Sequence, residues 1–334
     1  MTEDRDRTQP DIALAVDWAP AFELVVSLVS FAERKLHPNL DLGPAWVHDL
    51  RQRLPAAFHT QLAEFKSILP FKQSDGLLLL LVRACPEPRD PATLLGWVGR
   101  LSAGDLYEIL GPRLSTTASS AHAEHFIRLP RDLAGWRRAL LELIEPWHRC
   151  YFQTVDPAIL AGLAEHAAKL QPRLGSAPTS EVIEEATNGL WIDPATSNWS
   201  GVVLIPQYHL RPLNDFEGER EQLLIVYPAE VVPPPAGAPP TTLLRLTRAL
   251  ADESRLRMLR FLADGPRNLT EVARFAGLTQ PTVHHHLAML RSAGLVRVHI
   301  TDVSPNRYSL RPRALELLGD QLGAYLAPAK GDDT

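Results

Sequence analysis

One stretch, Thr279-Gln-Pro-Thr-Val-His-His-His-Leu-Ala-Met-Leu-Arg-Ser-Ala-Gly-Leu-Val296, restricts the fold of this 334-residue chain more than any other. Thr279 reads as a helix N-cap, and Pro281 falls in the first turn, where a missing N–H costs nothing. Val283, Leu287 and Leu290 recur at i, i+4 and i+7 and define one apolar stripe. The opposite face carries Pro281, His285 and Ala288, flanked by Thr282, His284 and Met289, and Gly294 supplies a C-cap. Just upstream, Asn268-Leu-Thr-Glu271 opens a shorter helix through Ala276, and Gly277 and Leu278 make a tight turn. Helix, glycine-containing turn and helix with a short polar outer face make a helix-turn-helix.

The residues that follow extend the pattern. Val296, Val298 and Ile300 alternate with Arg297 and His299, and Tyr308 and Leu310 point inward beyond a turn at Asp302 to Asn306, as a β-hairpin requires. A hairpin behind a helix-turn-helix is a wing. With Ala251-Asp-Glu-Ser-Arg-Leu-Arg-Met-Leu-Arg-Phe-Leu262 upstream, the segment from about Thr242 to Leu326 closely resembles the arsenic-repressor-like (ArsR/SmtB) family of winged-helix transcription regulators, Thr-Gln-Pro-Thr-Val-x-His-His-Leu being its most specific motif. That resemblance implies a bacterial, cytoplasmic, nucleoid-associated regulator that binds double-stranded DNA. It also implies a homodimer built from the first and last helices of the winged-helix domain. Here Leu243, Leu244, Leu246 and Leu250, with Leu315, Leu317, Leu318, Leu322 and Tyr325, supply the apolar surface for it.

A single domain seldom reaches 334 residues, so a second one is expected. The Pro-rich run 228–240, with six prolines in thirteen residues, favours extended polyproline II and marks a boundary. The expected organisation is a tail at 1–11, a mostly helical domain at 12–227, a linker at 228–241, the winged helix at 242–326 and a tail at 327–334. Charge divides along the same line. Residues 241–334 hold 13 Lys+Arg against 9 Asp+Glu, whereas the remainder holds 21 against 30, so a mildly basic reader is joined to an acidic partner. Mixed charge near the N-terminus argues against a signal peptide, and the longest apolar run, Leu77 to Val82, is too short for a membrane span.

The first domain reads as successive amphipathic helices: 18–34, 44–54, a third to Leu69, 90–101, 133–152, 156–170 and 179–188. Leu77 to Ala84 fits helix or buried strand equally. Gly201-Val-Val-Leu-Ile205 and Leu223-Leu-Ile-Val-Tyr227 are β-rich and predict a small antiparallel sheet closing the domain. The fold class is therefore mainly α, with a small antiparallel β element and a C-terminal winged helix-turn-helix. This stretch resembles an uncharacterised helical domain that precedes the winged helix in some regulators of the family, which implies no activity.

The expected DNA contacts are Thr279, Gln280, Thr282, His284 and His285 at the front of the second helix, where side chains reach base edges in the major groove. Helix capping is the competing role for Gln280 and Thr282. Arg291 and Arg297 are candidates for phosphates, and Asn306 and Arg307 for the minor groove. His286 flanks the inward stripe and reads as a core histidine. Three consecutive helical histidines point about 100° apart and cannot converge on one ion.

No metal or other cofactor is expected. The thiolate positions of the family's metal sensors are occupied by Asn268 and Thr270, and the last helix lacks the histidine of their second site. His122 and His125 are the only close histidine pair elsewhere, and Cys85 and Cys150 suit a core better than a redox switch. The first domain lacks a Gly-x-Ser-x-Gly elbow, a phosphate loop and a Gly-x-Gly-x-x-Gly motif, so no enzyme is predicted. The expected function is a dimeric repressor on a palindromic operator, its first domain sensing a ligand or partner near Trp191 to Tyr227. The alternative makes that domain an enzyme or interaction module that the winged helix localises to DNA.

Overall fold

The computed structural model describes residues 12–114, 129–192, 197, 199–300 and 306–327. The two expected tails, His122 and His125, and the wing tip at 301–305 lie outside the described residues, apart from Ala327.

By contact the chain forms two units: the described residues of Met1–Thr179 and Asn198–Val232, and those of Ser180–Ser197 and Pro233–Thr334. The expected boundary is thus corrected in one respect. A segment embedded in the first domain's sequence folds with the winged helix, and the Pro-rich run is one of three places where the chain passes between units. No local pattern announces this, because the partner of the displaced segment lies about a hundred residues downstream.

The first unit is built around α1 (Pro20–Ala32), of which twelve residues are buried, including Glu23, Ser27 and Ser30. A helix apolar on nearly every side belongs at the centre of a core. Around it lie α2 (Gly43–Arg53), α3 (Ala56–Ile68), α4 (Phe71–Ala84), α5 (Pro91–Arg100), α6 (Ala103–Leu110), α7 (Leu133–Cys150) and α8 (Pro157–Leu170). The ambiguous run at Leu77 resolves as helix. Trp136 and Trp147 are fully buried in this core, whereas Trp191 belongs to the second unit and Tyr227 to the first.

The sheet of the first unit differs from expectation. Its strands β1 (Ala13–Val16), β3 (Gly201–Gln207), β5 (Gln222–Pro228) and β4 (Asp215–Glu219) lie in the order β1-β3-β5-β4. Antiparallel pairing holds for β4 with β5, but β3 runs parallel to both β1 and β5. All seven residues of β3 are buried, and all but Gln207 lack a polar side chain, as is typical of a parallel strand covered on both faces.

The second unit contains α9 (Thr179–Ala186, from Ser180), β2 (Leu190–Ile192), α10 (Thr241–Leu250), α11 (Glu253–Leu262), β6 (Arg267–Asn268), α12 (Leu269–Ala276), α13 (Gln280–Ser292), β7 (Val296–Ile300), β8 (Arg307–Leu310) and α14 (Ala314–Leu326). Met258, Val272, Val283, Leu287, Leu290 and Val296 form the centre of its core. The wing sheet has the order β2-β7-β8-β6, so β2 occupies an edge of β7 that a three-stranded wing would leave open.

Candidate nucleic-acid interface

A reciprocal capping box on α12 and a simple N-cap on α13 fix the helix-turn-helix. The Asn268 Oδ1 accepts from the Glu271 N–H at 2.9 Å, and the Asn268 N–H donates to Glu271 Oε2 at 2.7 Å. Gly277 closes α12 in the left-handed region at φ 68°. Thr279 then caps α13, its hydroxyl 2.8 Å from that of Thr282 and accepting the Thr282 N–H at 3.4 Å. The inward stripe of α13, Val283, Leu287 and Leu290, is fully packed. With that face locked, the helix presents Gln280, Pro281, Thr282, His284 and His285 to solvent. Its N-terminal dipole favours a nearby phosphate.

The expected contacts divide by environment. Thr279 and Thr282 serve the cap and are also exposed. Gln280 is exposed and donates through Nε2 to Thr270 Oγ1 at 3.2 Å, a cross-helix contact that the sequence pattern did not reveal. His284 and His285 are exposed on the same front. His286 is half-buried, and its Nδ1 is buried without a partner among the described residues. Arg291 is half-buried beside Tyr308, whose phenol is pushed up by burial and pulled back by that guanidinium. Arg307, beside the wing tip, is exposed and donates to the Pro266 carbonyl at 2.8 Å. Asn306 is half-buried, and its Oδ1 has no partner among the described residues.

Arg297 is the exception among the expected contacts, because its charge already has partners. Its guanidinium donates to both carboxylate oxygens of Glu184, at 2.6 and 3.1 Å, and lies 4.1 Å over the Trp191 ring. A charge already paired, stacked and 19% exposed is poorly placed to neutralise DNA. Sequence reasoning missed Glu184 because a glutamate on a short amphipathic helix ordinarily reads as a solvated face.

Asn268 is consumed by its cap and Thr270 by Gln280, so the two positions that hold thiolates in the family's metal sensors have other roles here. Among the described residues one trio of possible ligands converges: Asp75, Asp215 and Glu217 in the first unit, with oxygens within 4.8 Å of one another. Burial holds the Asp75 carboxyl well above the ordinary carboxylate range, and Asp215 reinforces the effect. Burial likewise raises the Cys85 thiol, and Cys85 and Cys150 are both free.

One buried line in the first unit has the makings of a proton relay. Glu23 accepts from the His209 ring at Nδ1 and from the backbone N–H groups of Tyr208 and His209. His209 Nε2 meets the Tyr151 hydroxyl, which also accepts from Trp46 Nε1 at 3.0 Å. Glu23 and His209 are almost wholly buried and each polar atom of the line is occupied, so the arrangement satisfies the core.

The similarity to known proteins concentrates in the second unit. A family model described as a helix-turn-helix domain matches residues 250–299. The chain is 46% identical over 88 residues to the HTH-type transcriptional regulator CmtR of Mycobacterium tuberculosis (strain ATCC 25618 / H37Rv), a match covering 26% of this chain and 74% of that protein. It is 40% identical over 80 residues to a Streptomyces lividans protein described as a "Probable mercury resistance operon repressor", covering 24% of this chain and 63% of that relative's length. Among solved structures, the cadmium metal-sensor CmtR of M. tuberculosis is 36% identical, with a TM-score of 0.20 over 27% of this chain and 94% of its own. NolR from Sinorhizobium fredii is 26% identical, with a TM-score of 0.21 over 27% and 88%.

Proposed function

Because this chain belongs, through its C-terminal unit, to the arsenic-repressor-like (ArsR/SmtB) family of winged-helix transcription regulators, we propose that it binds double-stranded DNA sequence-specifically and regulates transcription, as a homodimeric repressor on a palindromic operator in the bacterial cytoplasm. The observation that carries this reading is the division of α13. One face is immobilised in the core, while Gln280, Thr282, His284 and His285 stand exposed at the end where a recognition helix meets base edges. Gln280 and the histidines read bases, Thr279 and Thr282 set the helix start, and Arg291 and Arg307 meet phosphate or the minor groove. Asn306 joins them at the wing tip. Arg297 has no place in that set.

Dimerisation is supported by α14, whose Leu322, Tyr325 and Leu326 are 41%, 39% and 68% exposed. Apolar side chains clustered on one terminal helix suit a self-complementary interface. Two copies would set two recognition helices about one DNA turn apart, which requires an imperfect palindrome. The first unit acts as a sensor or docking module without catalysis, and no helix among the described residues is long and apolar enough to cross a membrane.

Selection of duplexes from a random-sequence pool by the full-length protein tests the reading. An inverted repeat should be enriched. Gln280→Ala and His285→Ala should shift its sequence by ~1–3 kcal/mol per lost base contact, while Arg307→Ala should weaken all duplexes alike and flatten the salt dependence. Recovery of no enriched duplex would overturn it.

A further inference from the structure

The segment from Ser180 to Ile192 lies far upstream of the matched helix-turn-helix and yet grips it at three points. Val182 and Ile183 anchor α9 by burial. Glu184 then reaches Arg297 on β7, at 2.6 Å, and Arg311 just beyond β8, at 3.3 Å. Burial lowers the Arg311 pKa from its ordinary value against the pull of Glu184, a sign of how fully this arginine is withdrawn from water. Arg311 also donates to Asn188 Oδ1 at 2.7 Å, and Asn188 lies beside Gly294 at the end of the recognition helix. Past Gly189, whose carbonyl accepts the Val298 N–H at 2.8 Å, the chain pairs in parallel with β7: Leu190 with Val298, Trp191 with His299, and Ile192 with Ile300.

We propose that Glu184 and Asn188 are positioning residues of the DNA reader, fixing the angle between the recognition helix and the wing from a segment outside the family's own domain. This rests on the DNA-binding reading above and deepens it. A winged helix gains from its wing only if helix and hairpin reach the duplex together, so their mutual orientation enters affinity directly. Glu184 joins the three parts that must agree: the first wing strand through Arg297, the return from the wing through Arg311, and the helix end through the Arg311–Asn188 bond. It also explains why an arginine in β7 is unavailable to phosphate. Because the chain enters this segment from the first unit and returns to it afterwards, α9 and β2 are the part of the reader to which a change in the first unit is covalently tied on both sides.

The test uses the full-length protein and the duplex it enriches from a random pool. Glu184→Gln, Arg297→Met and the double variant are compared in affinity, in salt dependence and in active fraction, the last by stoichiometric titration with duplex. Positioning predicts a Kd raised roughly tenfold or more by either single change, at unchanged active fraction. The double variant should be no more than about threefold weaker than the weaker single, because the two changes share the Glu184–Arg297 pair, which either one already breaks. The salt slopes of the two single variants should match each other, since Arg297 itself makes no phosphate contact and both changes disturb the wing alike. A flattened slope in Arg297→Met alone, additive losses, or Glu184→Gln binding as well as the unaltered protein would overturn the proposal. Should Glu184→Gln lower only the active fraction, Glu184→Asp, which keeps the charge and shortens the reach, decides: an unchanged Kd there also overturns it. Failure of the unaltered protein to enrich any duplex would instead sink the DNA-binding reading itself.

Discussion

Gly277 and Gly294 both occupy the left-handed region, at φ 68° and 73°, yet a methyl group added to each meets different surroundings. At Gly277 there is nothing within 4 Å of the added carbon, so alanine there incurs only the backbone penalty, about 1–2 kcal/mol. At Gly294 the same carbon would stand 2.4 Å from Asn188 Oδ1 and 3.0 Å from its Cγ. The Asn188 side chain is held by the 2.7 Å bond from Arg311, so moving it aside breaks a charge-assisted hydrogen bond, a loss of about 1.5–3 kcal/mol. Gly294→Ala should therefore destabilise the end of α13 by about 2.5–5 kcal/mol, and Gly277→Ala by about 1–2 kcal/mol. Amide hydrogen exchange across residues 287–296, with thermal unfolding as a second readout, measures both. The excess at Gly294 should vanish in an Asn188→Ala background, where the added methyl has room and only the backbone penalty remains. Equal costs at the two glycines, or an unchanged cost after Asn188→Ala, would refute the placement of Asn188 against the recognition helix.

Three further outcomes follow from other parts of the molecule. Asp75→Asn should stabilise the first unit at neutral pH: the folded-state carboxyl pKa is raised, so its contribution is favourable below the unfolded value near 3.8 and is lost as pH rises through the folded one. Denaturant midpoints should accordingly differ between variant and parent at pH 7 and converge at acid pH. Zinc, cadmium and arsenite should leave a preformed protein–DNA complex intact, since Asn268 and Thr270 are engaged in a cap and a cross-helix bond; release at stoichiometric metal in a DNA-binding titration would count against this. Leu322→Glu combined with Leu326→Glu should shift the protein toward monomer in sedimentation velocity, because charges would then face each other across the proposed α14 interface.

The sequence made the helix-turn-helix legible because each of its signals is local. A cap, a tight turn and an apolar stripe fall within thirty residues, and Thr279, Gly277 and Val283 each act through neighbours a few positions away. The same held for α5, α7 and α8 of the first unit, whose caps at Asp90, Asp132 and Asp156 sit beside the residues they satisfy. Strand direction was not legible: β3 and β5 are short apolar runs, and whether such runs pair parallel or antiparallel depends on what covers their faces.

What stayed hidden is everything that joins distant parts of the chain. Leu190-Trp-Ile192 is three residues long, too short to show a period of two, and Arg297 looks like any arginine on a wing until Glu184 is placed beside it. A periodicity reading assigns a side chain to a face; it does not say which side chain from a hundred residues away will occupy the same space. The exposed polar residues at the front of α13 were legible for the opposite reason, since a side chain turned to solvent needs no distant partner to be read. The residues that meet DNA and the residues that hold them at the right angle thus belong to different kinds of information, and only the first kind is written locally.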